Sequence, residues 1–177
     1  MHNQEFLNQY FGTIWHKNSN PIAKFRKTGL DLLNKIKASE TVIDVGCGTN
    51  PFKSLIPNLV GVDPAFDQAD HKVTIEDFIT DQKFDVALCL GSINFGDVSV
   101  IERQIEKVVS LLNPNARIYW RCNPGQQDHP SEECKQIEFY PWSIEEHIRL
   151  SDKFGFMLTE CTWDNGNRLY AEWKRSA

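Results

Sequence analysis

The chain has little of what would send it to a membrane or an oxidising compartment. Its longest continuous apolar stretch, Val86-Ala87-Leu88-Cys89-Leu90, covers five residues, where a spanning helix needs about 20. The opening residues, MHNQEFLNQYF, lack the basic and then apolar layout of a signal peptide. Cysteines 47, 89, 122, 134 and 161 form an odd, scattered set with no C-x-x-C pair, which gives no disulfide framework and points to a reducing, cytoplasmic setting. Cys122, His129 and Cys134 match no zinc-ligand spacing and have no evident fourth partner, so no metal is expected. An excess of positive charge is also missing. With 19 Lys and Arg against 24 Asp and Glu, the net charge is −5, which argues against non-specific nucleic-acid binding. The local cluster Lys24, Arg26, Lys27, Lys35 and Lys37 reads as a solvated helix face. There is no internal repeat, no low-complexity tract and no G-x-x-x-x-G-K-[ST] phosphate loop.

What is present fits one domain of 177 residues, with N-terminal helices over 1–38 and a core over 40–174. The spacing predicts helices over 3–16 and 21–37, the second opened by Asn20-Pro21, a cap followed by proline at the first helical position. Leu30, Leu33 and Ile36 recur on its apolar side. Strands are expected at 41–45, 59–63, 71–74 and 84–90. Asn50-Pro51 opens a short helix that Pro57 stops within two turns. A helix over about 97–112 precedes a turn at Asn113-Pro114-Asn115 and a strand from Ala116 to Arg121. Residues 122–142 are irregular. Ser143-Ile144-Glu145-Glu146 is a capping box for a helix ending near Phe154. Two strands, 156–163 and 168–173, flank Asp164-Asn165-Gly166-Asn167, a hairpin turn. Strands alternating with helices before a terminal hairpin specify an α/β fold with an open, mostly parallel sheet.

The informative stretch is TVIDVGCGTNPF, residues 41–52. An apolar strand ends in an acid and two glycines. In open parallel sheets, ligands bind beyond the carboxyl ends of the strands. Gly46 and Gly48 permit a tight turn and a close backbone approach. The dinucleotide fingerprint G-x-G-x-x-G is broken by Pro51 at its third glycine position, which disfavours a nicotinamide-dependent oxidoreductase. Asp63, at the end of the second strand, can accept both hydroxyls of a ribose. Glu76-Asp77-Phe78 follows the third strand and offers an acid and an apolar ring to an adenine. Leu90-Gly91-Ser92 ends the fourth strand beside the first.

Taken together, VIDVGCG, VGVD, IEDF, FDVALCLGS, VVSLLNPNARIYW and the closing GFMLTECTWDNGNRLYAEW resemble, in order, the motifs of class I S-adenosylmethionine-dependent methyltransferases over residues 40 to 174. The resemblance implies a seven-stranded Rossmann-like sheet of order 3-2-1-4-5-7-6, its last strand antiparallel and its helices reduced. It implies S-adenosyl-L-methionine as cofactor, with Asp44, Gly46, Cys47 and Gly48 at its methionine part. Asp63 would meet the ribose, Glu76, Asp77 and Phe78 the adenine, and Leu90 and Ser92 the sulfonium. Tyr10 and Trp15 would close over the site, as the first helix of this family often does. The chain departs from the pattern in its short helix after the glycine turn, in the missing helix between the second and third strands, and in Asn115 where a glycine pair is common.

Direct displacement at a methyl group needs alignment more than a catalytic dyad. His129, in the loop after the fifth strand, is the candidate base if the acceptor must lose a proton. The negative net charge slightly favours a small-molecule acceptor over a nucleic acid or protein. The competing expectation is a non-catalytic S-adenosylmethionine-binding subunit that stabilises a partner, recognisable by an occluded acceptor side or a large exposed apolar patch. The sequence sets no oligomeric state.

Overall fold

The computed structural model describes residues 3–15, 27–125, 131–164 and 168–176. Six strands form one sheet: β1 (Val42–Val45), β2 (Leu59–Val62), β3 (Phe84–Leu90), β4 (Leu112–Cys122), β5 (Phe156–Asp164) and β6 (Arg168–Arg175), in the order β2-β1-β3-β4-β6-β5. β1 pairs in parallel with β2 and β3, and β3 with β4. β6 runs antiparallel to both β4 and β5. This is the expected order with one strand reduced. The segment expected as strand 71–74 contributes a single parallel bridge between His71 and Val62. His71 N donates to Gly61 O and Asp63 N to His71 O, both at 3.1 Å. Thr74 then turns the chain by accepting from Asp77 N through its hydroxyl.

The strands are built from β-branched and aromatic residues, and those of the parallel half are buried on both faces. Over one face lie α2 (Val98–Ser110) and α3 (Ile144–Lys153). Ile101, Ile105 and Val108 of α2 and Leu150 of α3 join Ile43, Ala87, Ile118 and Trp173 in the main core. Asp97 caps α2, accepting from Ser99 N at 2.9 Å and Val100 N at 3.1 Å. Ser143 caps α3 through Glu146 N at 3.1 Å. Glu146 does not complete the box, because its carboxylate is taken by Arg149 and Tyr140.

Among the described residues, the other face is thinly covered. Gly29, at φ −101° and ψ −130°, is not helical, and only a 3-10 turn, Leu30–Lys35, follows it. Leu30 therefore faces outward, while Leu32 is fully buried and Leu33 and Ile36 pack partly against the sheet. Residues 21–26 of the expected helix, with Lys24, Arg26 and the Asn20-Pro21 start signal, lie outside the described residues. Lys27 and Lys35 are not merely solvated. They pair with Glu160 and Glu172 and flank the Tyr170 ring at 5.3 and 5.2 Å. Pro51 to Leu55 form successive turns rather than a helix, yet they still seat Phe52 and Ile56 against Leu59. Asn113-Pro114-Asn115 is an irregularity inside β4, where the register with β3 shifts, rather than a turn before it. The centre of the expected hairpin, 165–167, lies outside the described residues, but Asp164 pairs with Arg168 across it. At the N-terminus, α1 (Gln4–Gln9) runs on as a π-helical segment, Tyr10–Trp15.

His147 of α3 is fully buried in an aromatic nest. It stacks on Trp142 at 4.5 Å, and its Nδ1 accepts from Trp173 Nε1 at 3.2 Å. Burial pushes its pKa down to about 3 from the ordinary 6.5. A depressed value means the unfolded chain binds the proton first. Stability contributed by neutral His147 is thus complete above pH 6.5 and is lost as pH falls towards 3. Urea unfolding across that range should show wild-type stability declining with a slope steeper than that of His147→Gln by up to roughly 1.4 kcal/mol per pH unit. Parallel profiles for the two chains would remove His147 as the cause.

Candidate functional site

The exit of β1 is a turn that glycine makes feasible. Gly46 and Gly48 take φ values of +70° and +58°, a region that costs other residues about 1–2 kcal/mol. Gly46 also has no room for a side chain, since a Cβ there would lie 2.2 Å from Ser92 Cβ. The β1 and β3 exits touch at this point. Gly48 differs: an added Cβ would meet nothing within 4 Å among the described residues, so its outer side opens on space that they leave free.

Asp63 fixes the turn from the side. Its Oδ2 accepts from Gly48 N at 2.9 Å and its Oδ1 from Ala65 N at 2.8 Å. Burial pushes its pKa above the ordinary 3.8, against the pull of those backbone N–H groups and of Phe66 N. Asp44 is buried on the neighbouring strand. Burial, and then the charge of Asp63, push its carboxyl up to about 7, while Arg121 pulls it down. The Cys47 thiol is pushed above its ordinary value by burial and by the nearby Asp44 and Asp63 charges, which makes it a packing group rather than a nucleophile. Ser92 Oγ is buried with no hydrogen-bond partner among the described residues.

Thus Asp44, Gly46, Cys47, Gly48, Asp63, Leu90 and Ser92 converge at the carboxyl ends of β1, β2 and β3. The acidic segment after His71 is less uniform. Glu76 turns towards α2, accepting from Arg103 and Gln104 at 3.4 Å each. Asp77 is exposed and accepts from the Thr74 hydroxyl at 2.9 Å. Phe78 is buried beside His71, ring centroids 5.0 Å apart. His129 lies outside the described residues. Cys122 belongs to the main core, while Cys134 donates to Tyr10 Oη at 2.8 Å in a separate cluster.

Two residues that shape the turn escape the motif reading. Asn50 has φ +58° and is held there by Nδ2 donating to Gln68 O at 3.1 Å. Its amide lies over Gly61, where a Cβ would come within 2.6 Å of Oδ1. A lone glycine inside a strand is a signal of such close approach. Asn-Pro instead reads as a helix start.

The N-terminal segment packs against the loop after β2. A Cβ on Gly12 would lie 3.2 Å from Ala65 O, in the loop that Asp63 begins. Phe11 packs on Phe95 at 5.2 Å and on Trp15 at 5.7 Å, and Phe95 on Phe139 at 5.4 Å. Tyr10 is buried in the same cluster. Tyr140 and Trp142 fasten the 131–142 segment to the sheet: Tyr140 N donates to Asn94 O at 2.7 Å and Trp142 Nε1 to Ile93 O at 2.8 Å.

A carboxyl whose pKa is raised from 3.8 to about 7 favours folding fully below pH 4, and that contribution is lost as pH rises through 7. Asp44→Asn should therefore gain stability relative to wild type between pH 4 and pH 8, by roughly 1 kcal/mol or more. Denaturant unfolding of both chains at the two pH values measures it. A difference that stays flat would mean that Asp44 carries no such penalty.

No family model matches the chain, and no curated protein matches it. Solved structures do. A Burkholderia thailandensis 1,6-didemethyltoxoflavin-N1-methyltransferase, with 1,6-didemethyltoxoflavin and S-adenosylhomocysteine bound, superposes with a TM-score of 0.76 at 13% identity over 98% of this chain and 88% of its own. The N-methyltransferase NodS of Bradyrhizobium japonicum, in complex with S-adenosylhomocysteine, gives 0.68 at 16% identity over 97% of each chain. A complex of the Haloferax volcanii Trm112 methyltransferase activator and a putative methyltransferase gives 0.73 at 13% identity, covering 100% of both chains. The sheet order, the glycine turn and these superpositions together identify the fold as that of the class I S-adenosylmethionine-dependent methyltransferases.

Proposed function

We propose that the chain binds S-adenosylmethionine across the exits of β1, β2 and β3 and directs its methyl group onto a small-molecule acceptor. The observation that carries this reading is the free space beside Gly48, bordered by the Asp63 carboxylate. With three of its four acceptor positions taken by Gly48, Ala65 and Phe66 N–H groups, the Asp63 carboxylate retains one, which suits a ribose hydroxyl. The Ser92 hydroxyl, without a partner among the described residues, offers a further polar contact at the β3 exit. In this reading Asp44, Gly46, Cys47 and Gly48 hold the methionine part, and Leu90 and Ser92 border the sulfur. Asp77, with Glu76 and Phe78, flanks the adenine, and Asp77 is the acid whose exposure leaves it accessible there.

When bound, S-adenosylmethionine supplies an electrophilic methyl group. The chain's own residues then have to align and to exclude water. Gly46, packed on Ser92, fixes the distance between two of the loops that would grip the ligand. The aromatic segment Tyr10–Trp15 covers the mouth. Orientation of this kind contributes roughly 7–11 kcal/mol in well-aligned reactions. His129 is the residue proposed to accept a proton from an acceptor that must lose one. Among the described residues no helix is long and apolar enough to cross a membrane, and the net charge of −5 supports a small molecule over a polyanion.

Calorimetry with S-adenosylhomocysteine and with NAD tests the cofactor. The first should bind and the second should not. Asp63→Ala should weaken S-adenosylhomocysteine binding by about tenfold or more, since charge-assisted hydrogen bonds contribute roughly 1.5–3 kcal/mol each. Equal affinity in a folded Asp63→Ala chain would remove Asp63 from the site. Transfer of labelled methyl groups into a metabolite extract then separates an enzyme from a cofactor-binding subunit, because the latter would bind S-adenosylhomocysteine and label nothing. With an acceptor in hand, undiminished turnover in His129→Ala would dismiss the proposed base.

A further inference from the structure

Two buried amides stand at the carboxyl edge of the sheet, outside the residues that the cofactor reading uses. Asn94 lies in the loop after β3 and Asn123 directly follows β4; they are 1% and 3% exposed. The loop that carries Asn94 is held at several points. Asn94 O accepts from Tyr140 N and Glu138 O from Gly96 N, both at 2.7 Å. Arg121 supports the start of the same loop, its Nη2 donating to Leu90 O at 2.8 Å and its Nη1 to Thr28 Oγ1 at 3.4 Å. Leu90 is the residue that would border the sulfur. Gly91 follows it at φ +98°, and a Cβ there would stand 3.4 Å from Arg121 Nη2 and 3.9 Å from Asn94 Nδ2. The Asn94 amide therefore lies beside the backbone that follows Leu90.

The hydrogen bonds fix the orientation of both amides. A backbone N–H can only donate, so the Asn94 atom that faces Asn123 N at 3.0 Å is its oxygen. Asn94 Nδ2 then faces Asn123 Oδ1, at 3.4 Å. Asn123 Nδ2 is the atom left over, a donor with no acceptor among the described residues. Holding the loop does not require it, since the shorter bond to Asn94 comes from the Asn123 backbone and not from its side chain. An amide N–H withdrawn from water is costly unless an acceptor meets it, whereas an apolar side chain at 123 would carry no such cost.

We infer that Asn123 Nδ2 donates to a carbonyl oxygen of the methyl acceptor and so sets the acceptor's nucleophilic atom beside Leu90 and Ser92. A neutral amide meets a neutral carbonyl with no ion to desolvate. Phe95, next to Asn94, packs on Phe11 at 5.2 Å and on Phe139 at 5.4 Å, an aromatic cluster that suits a planar body on that acceptor. This rests on the methyltransferase reading above and narrows its substrate to a planar compound bearing a carbonyl. Asn123 is then a specificity residue, and Asn94 positions it. An Asn123 that only fastened the β4 exit to Asn94 would show no preference between a carbonyl compound and its methylene analogue.

The test uses the full chain saturated with S-adenosylhomocysteine. Oxindole, phthalide and chromanone are titrated by calorimetry beside indoline, phthalan and chromane, which carry a methylene in place of the carbonyl. At least one carbonyl compound should bind about tenfold or more tightly than its analogue. Asn123→Asp, which exchanges the donor for an acceptor, should abolish that preference while shifting S-adenosylhomocysteine affinity by less than about threefold. Asn123→Leu removes the donor without adding a charge and should do the same, which keeps the test open if Asn123→Asp fails to fold. Equal binding within every pair, or no carbonyl compound bound at millimolar concentration, overturns the proposal. So does a preference that survives in either folded variant, because the donor would then lie elsewhere. A wild-type chain that takes up no S-adenosylhomocysteine fails the function reading instead, and the same titrations of the unliganded chain still decide the amide site.

Discussion

The hydrogen bond from Gly48 N to the Asp63 carboxylate organises the ligand edge. It joins the exits of two adjacent parallel strands at a point where neither strand's ladder reaches. With the bonds from Gly46 N and Cys47 N to Val62 O, at 2.7 and 3.2 Å, it fixes a turn with two positive φ angles relative to β2. Around that bond the other constraints fall into place: Gly46 closes on Ser92 from the β3 side, and Asn50 closes on Gly61 from below. The turn is thereby held from three directions while its outer side, beside Gly48, stays open. The same carboxylate that shapes the turn also faces the space a ligand would enter, so the loop's geometry and its binding chemistry depend on one side chain.

Such an arrangement costs stability. Asp44 and Asp63 are buried acids within electrostatic reach of each other, and each raises the price of ionising its surroundings. Arg121 and Arg168 add two buried cations further along the same edge. The face that covers these groups is, among the described residues, the thin one, made of turns and a 3-10 segment, whereas α2 and α3 seal a continuous apolar core on the opposite face. Stability is concentrated on one side of the sheet and charged groups on the other.

Much of this was legible in the chain itself. Most of the strands and the two helices on the sealed face follow from local patterns, β-branched runs and capping residues, while the strand order and the convergence of Asp44, Gly46, Gly48 and Asp63 follow from the family resemblance. What escaped depends on contacts distant in sequence. Gly29 interrupts an otherwise helical spacing, which turns Leu30 outward and brings Leu32 inward. His71 and Val73 alternate with polar residues as a strand should, but Thr74 bonds to Asp77 and ends the pairing after one bridge. Glu76 could have faced an adenine by spacing alone, yet the polar edge of α2 takes its carboxylate. Arg121 read as the polar end of a strand, because only the packing of Thr28 and Gly91 around it shows how deeply its guanidinium is held.

The reduced third strand has one more effect. β2 becomes an outer strand, and an outer strand ordinarily offers unpaired backbone groups to any neighbouring chain. Here Asp70 accepts from Gly61 N at 2.7 Å, and His71 N donates to Gly61 O. A carboxylate and a single residue thus do the work of a missing strand, and the border they leave is charged and short, unsuited to templating aggregation.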